Sequence, residues 1–280
     1  MPRGLVALSV ALVLGLVAVI GRAEPDESVG SSPIPVVTLD ALPLAVPAAA
    51  LEPDARSRAE AVLASAIFAH RVTGIRYRSR EDVFRFLLDH PDFAASVARA
   101  LRVGQYRVTP RDGGYWGDDA RGATGTIRVL YADERRRLFH LEGRYERNLL
   151  PTIEGQLLVL LEFHHEEDED GGTVVESSLT GYLRIDTPIV GTLAQVVGAL
   201  TRPLLERAVE RKVRRFFRTV GQVSRWASDQ PEQLATMLEG HPEVPPGPTV
   251  AAFHAILLRD HPPGWAWLPY RLVPAQTVAP

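Results

Sequence analysis

The chain has 280 residues, of which 46% are hydrophobic and 23% are charged, which is the mix of an ordinary globular protein. Its formal net charge of −3 gives no reason to expect a nucleic-acid partner. The absence of cysteine excludes disulfides, thiolate metal sites, thiol nucleophiles and lipid attachment through cysteine. Lys212 is the only lysine among many arginines, a usage typical of a GC-rich genome.

The N-terminus has the pattern of an export signal. Arg3 precedes an uncharged run from Gly4 to Ile20, and Gly21-Arg22-Ala23 places small residues before a cleavage point. We therefore predict a signal peptide over residues 1–23 and a periplasmic or secreted protein. An uncleaved membrane anchor is the alternative, because the apolar run is close to the minimum length for a span. Residues 24–50 are rich in proline and are predicted to be a linker.

The first predicted elements of the folded part are a helix, a strand and two short helices. Pro53 begins a helix whose apolar residues recur at helical spacing to about Val72. Residues 73–79 alternate between apolar and polar and are predicted to be a strand. Two short helices follow over residues 81–89 and 91–101.

Five strands are predicted next, over residues 105–109, 124–131, 137–147, 156–165 and 173–186. In the third of these, Phe139 and Tyr145 are on one face and His140 and Glu146 on the other. A period of two with one apolar face predicts an antiparallel sheet that is covered on one side and wet on the other. The stretch from Asp112 to Gly122 is turn-rich.

A long amphipathic helix is predicted to cover the sheet. One of its faces holds Leu205, Val209, Val213, Phe216, Val220, Val223 and Ala227. The opposite face holds Arg207, Arg211, Arg214, Arg218 and Arg225. Apolar residues upstream predict a start near Pro188, with Pro203 kinking or restarting the helix. Two short helices are predicted in the tail, over residues 231–239 and 249–259.

This order of elements, with Arg78–Leu87 after the first strand and Lys212–Phe217 in the late helix, resembles the helix-grip fold of the START-related, polyketide-cyclase-like (SRPBCC) lipid-transfer superfamily. The resemblance covers roughly residues 71–228 and implies an α+β fold whose curved sheet grips the C-terminal helix around a cavity for an apolar molecule. The superfamily commonly has six strands after the helix pair, so a further strand is expected near residues 148–154 or within 111–122. The domain would span residues 51–230 with its leading helix, followed by a Pro-rich extension over 231–280.

The concave sheet face under the amphipathic helix predicts a pocket for a hydrophobic ligand such as a lipid, a sterol-like molecule or a polyketide. Its predicted wall consists of Tyr77, Phe139, Leu141, Tyr145, Leu157, Leu161, Phe163, Leu179, Leu183, Phe216 and Val220. No cofactor and no metal are expected. A cavity too small for any ligand would reject this function.

Two other functions stay open. An envelope accessory protein with a filled core would contact an anionic membrane or an acidic partner through Arg207, Arg211, Arg214 and Arg218. The same pattern is also explained by a helix side that is simply exposed to solvent. A cyclase- or hydrolase-like enzyme would need inward polar groups, for which Tyr145 and Ser177 are the candidates.

Three polar or aromatic stretches each have a structural and a chemical interpretation. Residues 164–170 are predicted to be a solvated acidic hairpin tip, with a weak divalent-cation site as the alternative, and His164 and His165 should point to opposite faces. His140, Glu142, Arg144 and Glu146 are predicted to lie on a solvated outer face of the sheet. The alternative is that His140 and a carboxylate form an acid–base pair. Residues 115–119 either gate a pocket or are pinned to the sheet edge by Trp116.

Overall fold

The computed structural model describes residues 46, 48–146, 152–169, 172–187, 202–244 and 247–259. The predicted signal peptide, almost all of the predicted linker, the predicted helix start near Pro188 and the chain end after residue 259 lie outside these residues. No helix within the described ranges is long and apolar enough to cross a bilayer.

The described residues form six α-helices and seven strands, with a short 3₁₀ turn at Ala48–Ala50. In chain order these are α1 (Pro53–Ala64), β1 (Phe68–Arg78), α2 (Glu81–Asp89), α3 (Pro91–Ala100), β2 (Arg107–Arg111), β3 (Gly114–Asp118), β4 (Ala123–Ala132), β5 (Arg136–Tyr145), β6 (Ile153–Glu167), β7 (Thr173–Ile185), α4 (Arg202–Asp229), α5 (Pro231–Leu238) and α6 (Pro248–Leu257).

All seven strands belong to one antiparallel sheet with the order β1-β7-β6-β5-β4-β3-β2. The helix pair α2–α3 connects β1 to β2, and the long helix α4 follows β7. The predicted α+β class with an antiparallel sheet and a late amphipathic helix is therefore confirmed. The order of elements and the pairing of the first strand with the last are compatible with a helix-grip fold.

The strand that the sequence left unplaced is β3, within the stretch that was interpreted as turn-rich. It pairs with β2 across a tight turn at Asp112-Gly113, where Gly113 has a φ of +73°. Asp-Gly is a favoured pair for such turns because glycine adopts positive φ without strain. The two strands form a hairpin at the edge of the sheet. Tyr115 on β3 is buried in the core, and the Arg111 guanidinium lies over the Trp116 ring.

The first helix is shorter than predicted, and the first strand is longer. α1 ends at Ala64, and residues 68–72, predicted as helix, pair with β7 as part of β1. The register shifts by one residue between Val72 and Ile75, at Gly74 with a φ of +66°. This bulge adds one residue and interrupts the period of two. Before it, even-numbered residues such as Phe68 and Val72 face inward, and after it the odd-numbered Ile75 does.

One face of the sheet, called the inner face below, packs on the N-terminal half of α4. Val209, Val213 and Phe216 of α4 are buried against apolar residues of the five longest strands. The predicted apolar side of the helix is thus confirmed, and the predicted core of alternating strand residues forms one continuous cluster.

The other face, called the outer face below, is covered over part of its area, and the prediction of a wet outer face is wrong there. Val62 and Leu63 of α1 pack with Leu138, Leu158 and Leu160, which are fully buried. Val46, at the end of the predicted linker, also joins this cluster. The run of apolar residues in β6 is the sequence signal for burial on both faces.

A second helical core lies beyond the sheet. Val223 and Ala227, in the C-terminal half of α4, are buried with apolar residues of α2, α3, α5 and α6. The Arg80 guanidinium donates hydrogen bonds to the carbonyl oxygens of Ile256 and Leu257 at the end of α6. The part of the predicted extension that the structure describes is therefore packed onto the helix pair.

Candidate functional site

The residues predicted to wall the pocket all lie in the inner cluster. Nine of them have at most 4% of their surface exposed, namely Phe139, Leu141, Tyr145, Leu157, Leu161, Phe163, Leu179, Leu183 and Phe216. Tyr77 and Val220 are partly buried and pack against the same cluster. The structure brings the predicted set together as mutually packed side chains.

An apolar cavity of about 50 Å³ lies where α2 and α3 meet α4, and we call it the helix-junction cavity. Its lining consists of Leu87, Leu88, Pro91, Ala94, Ala95, Ala98, Tyr106, Phe216, Thr219, Val220 and Val223. Phe216 and Val220 are the predicted wall residues that line it. Leu87, Leu88 and the three alanines of α3 are lining residues that the predicted wall does not include.

Small side chains on α3 create this cavity. Ala94, Ala95 and Ala98 lie opposite the large side chains of Phe216 and Val220, so the two helix surfaces do not fill the space between them. The Thr219 hydroxyl, the one hydroxyl from α4 in the lining, donates to the carbonyl oxygen of Val103 at 3.1 Å. Its polar group is thereby satisfied, and the wall of the cavity is apolar in character.

Three buried hydroxyl groups of the inner face have no hydrogen-bond partner among the described residues. They belong to Tyr77, Tyr145 and Ser177. Burial raises the pKa of Tyr77 well above its usual range, and the nearby Ser177 hydroxyl opposes this only in part. Such groups are rare in native cores and point to a bound water or ligand group.

The two inward polar groups that an enzyme would need lie at opposite ends of the sheet. Tyr145 pairs with Ile153 at the start of β6, whereas Ser177 pairs with Phe163 near its end. Ten residues of β6 separate these positions, which is roughly 33 Å measured along the strand. Tyr145 and Ser177 therefore cannot act on the same reacting atoms.

The uncovered part of the outer face forms an open polar groove of about 760 Å³, called the outer groove below. Within it, the Arg71 guanidinium lies 3.0 Å from the Glu162 carboxylate, and the Ser178 hydroxyl donates to the same carboxylate oxygen at 3.3 Å. Burial raises the pKa of Glu162, although Arg71 and Ser178 act in the opposite direction. The network ties β1, β6 and β7 together beyond the end of the α1 cover.

Next to this network, His164, Glu166 and Glu176 place one possible metal-ligand atom each within 4.8 Å of one another. The Arg76 guanidinium already bridges the two carboxylates, at 3.2 Å from Glu166 and 3.1 Å from Glu176. A cation would therefore have to displace an arginine. This geometry favours the solvated acidic turn over the divalent-cation site.

The predicted divergence of the two neighbouring histidines is confirmed. His164 lies on the outer face, with its Nε2 3.0 Å from a Glu166 oxygen, whereas His165 faces inward and packs edge-on against Phe84. Burial lowers the pKa of His165. The two imidazoles cannot share one ion.

His140 corrects the interpretation of the polar face of β5. It is 2% exposed beneath the α1 cover, and its Nε2 lies 3.2 Å from Oε1 of Gln156. Burial lowers the pKa of His140. Glu142, Arg144 and Glu146 on the same face are exposed as predicted, and Arg144 pairs with Glu146 at 3.2 Å. No acid–base pair forms, because His140 is sealed under α1 with an amide partner.

The arginines predicted for membrane or partner contact, Arg207, Arg211, Arg214 and Arg218, are all exposed on α4, as is Arg225. Glu206 and Glu210, the acidic residues of this helix segment, instead approach the His70 imidazole to 3.9 and 3.5 Å. Both carboxylates thus approach the His70 imidazole at the sheet edge.

Comparisons with known proteins show only distant likeness. No protein-family model matches this chain, and no curated protein matches it. The crystal structure of Ara h 8.0201 is 14% identical and covers 52% of this chain and 95% of its own, with a TM-score of 0.24. A putative uncharacterized protein from Rhizobium leguminosarum is 18% identical and covers 53% of this chain and 97% of its own, with a TM-score of 0.23. Likeness at this level carries no argument about function.

Proposed function

We propose that this chain is a binding or transfer protein for an apolar molecule, which enters between α4 and the α2–α3 pair, and that it belongs to the START-related superfamily. The observation that carries the proposal is the helix-junction cavity, an unfilled apolar space at the meeting point of three helices. Burying an apolar group there gains roughly 25 cal/mol for each Å² of surface removed from water. The buried hydroxyl of Tyr77 on the same side of the sheet, which has only the Ser177 hydroxyl nearby, is a further group that a ligand can satisfy.

The volume of the cavity sets a condition on this function. Small-molecule sites usually enclose about 300–1,000 Å³, and the helix-junction cavity has about 50 Å³. It accepts a small apolar group, such as the end of an acyl chain. A whole lipid requires α2 and α3 to move away from α4, and that movement opens the packing of Val223 and Ala227 against α2 and α3.

The proposal is tested by filling the cavity. Ala95→Val adds two methyl groups to a cavity-lining side chain that is 3% exposed. We expect the affinity for dansyl-labelled undecanoic acid, measured by fluorescence titration, to fall about tenfold or more, while unfolding in urea shows unchanged or slightly higher stability. The matched control is Ala64→Val at the exposed end of α1, which should leave probe binding unchanged.

Two results would contradict this function. One is equal probe affinity in the Ala95 and Ala64 variants, which would place the probe elsewhere. The other is protein gently purified from its native host that carries no apolar small molecule detectable by mass spectrometry and also fails to bind the probe.

We also propose, from the pattern of residues 1–23, that the protein acts outside the cytoplasm. Expression of the full chain in a Gram-negative bacterium, followed by cell fractionation and N-terminal sequencing, should give a periplasmic protein that begins at Glu24. A full-length protein in the membrane fraction would favour the anchor. A full-length protein in the cytosol would overturn the proposal.

A further inference from the structure

The exposed side of α4 carries a straight row of arginines, called the arginine stripe below, which consists of Arg207, Arg211, Arg214, Arg218 and Arg225. At 100° per residue these five positions lie within about 60° of one another around the helix. The row extends over about 27 Å of helix at 1.5 Å per residue. Arginine is therefore presented along most of the length of α4 in a single direction.

Protein carboxylates do not neutralise this stripe within the described part of the chain. Arg214 donates to the backbone carbonyl of Thr73 at 3.4 Å, and no ion pair reaches any of the five guanidinium groups. Glu206 and Glu210 are turned toward His70 at the sheet edge. By contrast, many other described arginines are paired with a carboxylate, as Arg71 is with Glu162. The positive charge of the stripe is left for an external anion.

We propose that the arginine stripe docks the protein on the surface of an anionic lipid membrane. A protein partner is less suited to this surface, because interfaces between proteins are built around buried aromatic or aliphatic anchors. Leu258 is the one exposed large hydrophobic residue in the described ranges, and it follows α6 and is not part of α4. The apolar side of α4 is buried in the protein, so the contact is electrostatic and does not insert the helix into the bilayer.

The proposal is separate from ligand binding, because it concerns the opposite side of α4 from the helix-junction cavity. Each arginine near an anionic bilayer surface strengthens binding by about fivefold, so the loss of three should weaken it on the order of 100-fold. The attraction also falls with added salt, since the screening length is about 10 Å at 0.1 M ionic strength.

The test is sedimentation of the full chain with vesicles of phosphatidylcholine alone or mixed with phosphatidylglycerol. Any binding through the apolar run Gly4–Ile20 does not depend on lipid charge and is common to both kinds of vesicle, so the readout is the difference between them. The stripe variant carries R211Q, R214Q and R218Q. The control variant carries R111Q, R135Q and R144Q, which removes the same charge from exposed positions on the sheet.

We expect the wild-type and control proteins to prefer the anionic vesicles in a salt-sensitive manner, and the stripe variant to lose this preference. Equal binding of the two variants would overturn the proposal, as would equal binding of the wild type to both kinds of vesicle. Salt-sensitive binding to polyglutamate without a preference for anionic vesicles would overturn it in favour of an acidic protein partner. Dansyl-labelled undecanoic acid should bind the stripe variant normally, so failure of docking and failure of ligand binding are distinguishable.

Discussion

The inner face of β6 is apolar and buried from Leu157 to Phe163, whereas its outer face is apolar only at Leu158 and Leu160. On β6, the inward residues from Leu157 to Phe163 are at most 3% exposed. Among the outward residues, Leu158 and Leu160 are fully buried, whereas Gln156 before them and Glu162 and His164 after them are polar. The inner face of the strand therefore belongs to the core that α4 completes, whereas its outer face is buried only where α1 covers it.

The lengths of the covering helices explain this difference. α4 has 28 residues and runs past the sheet into the second helical core, whereas α1 has 12. At 1.5 Å per residue α1 extends over about 18 Å, while the 15 residues of β6 extend over roughly 50 Å. The short helix seals one part of the outer face, and the remainder is left as the outer groove.

The most direct test of this difference between the faces is to truncate one buried side chain on each face. Phe139→Ala on the inner face should reduce the free energy of unfolding by about 3–5 kcal/mol, and Leu158→Ala on the outer face by about 2–5 kcal/mol, because both side chains are fully buried. Urea denaturation monitored by circular dichroism measures both. A cost below about 1 kcal/mol for Leu158→Ala would show that α1 does not form a tightly packed core with the outer face.

The second prediction concerns the boundary between the two parts of the outer face. The Glu162 side chain is 12% exposed and that of Arg71 is 37% exposed, so removing Arg71 leaves a largely buried carboxylate without its cation. We expect Arg71→Gln to cost about 1–3 kcal/mol at neutral pH. Glu162→Gln should cost less, because the raised pKa of Glu162 shows that the fold favours its neutral form. The reverse order in urea denaturation would contradict this account.

The third prediction uses the histidine beneath α1. Burial lowers the pKa of His140, so near pH 6.5 the unfolded chain takes up a proton that the folded protein does not. Its contribution is therefore fully favourable above pH 6.5, and stability should fall as the pH drops below that value. His140→Gln should flatten this fall in part, since His165 on the inner face has a pKa lowered in the same direction. An unchanged pH profile of urea stability would show that His140 is accessible to water.

The smallest effect is expected at the exposed end of the outer face. Arg76→Gln removes the bridge to Glu166 and Glu176, but the Arg76 side chain is 56% exposed. Exposed ion pairs contribute about 0–1 kcal/mol, so we expect a loss below 1 kcal/mol in the same assay. A loss as large as that of Arg71→Gln would mean that the outer groove is packed as tightly as the region under α1.

Sequence patterns predict the inner core of this protein well and its cavity poorly. Strand alternation and the helical period both report which side of an element is buried, and the predicted inner residues from Phe139 to Phe216 do form one cluster. The helix-junction cavity arises from three alanines on α3 that pack opposite large residues of another helix. Alanine has no strong burial signal of its own, so this space appears only when the two helices are placed together.

Local pattern by itself determined the antiparallel sheet, the amphipathic helix α4 and the outward row of arginines, because each depends on spacing within one segment. Only the tertiary structure decided that residues 68–72 join β1, since their pairing partner on β7 lies more than a hundred residues away in the chain. It likewise decided that α1 covers Leu158 and that His140 is sealed from water. In each case the deciding free energy comes from contacts between segments distant in sequence, which no single segment encodes.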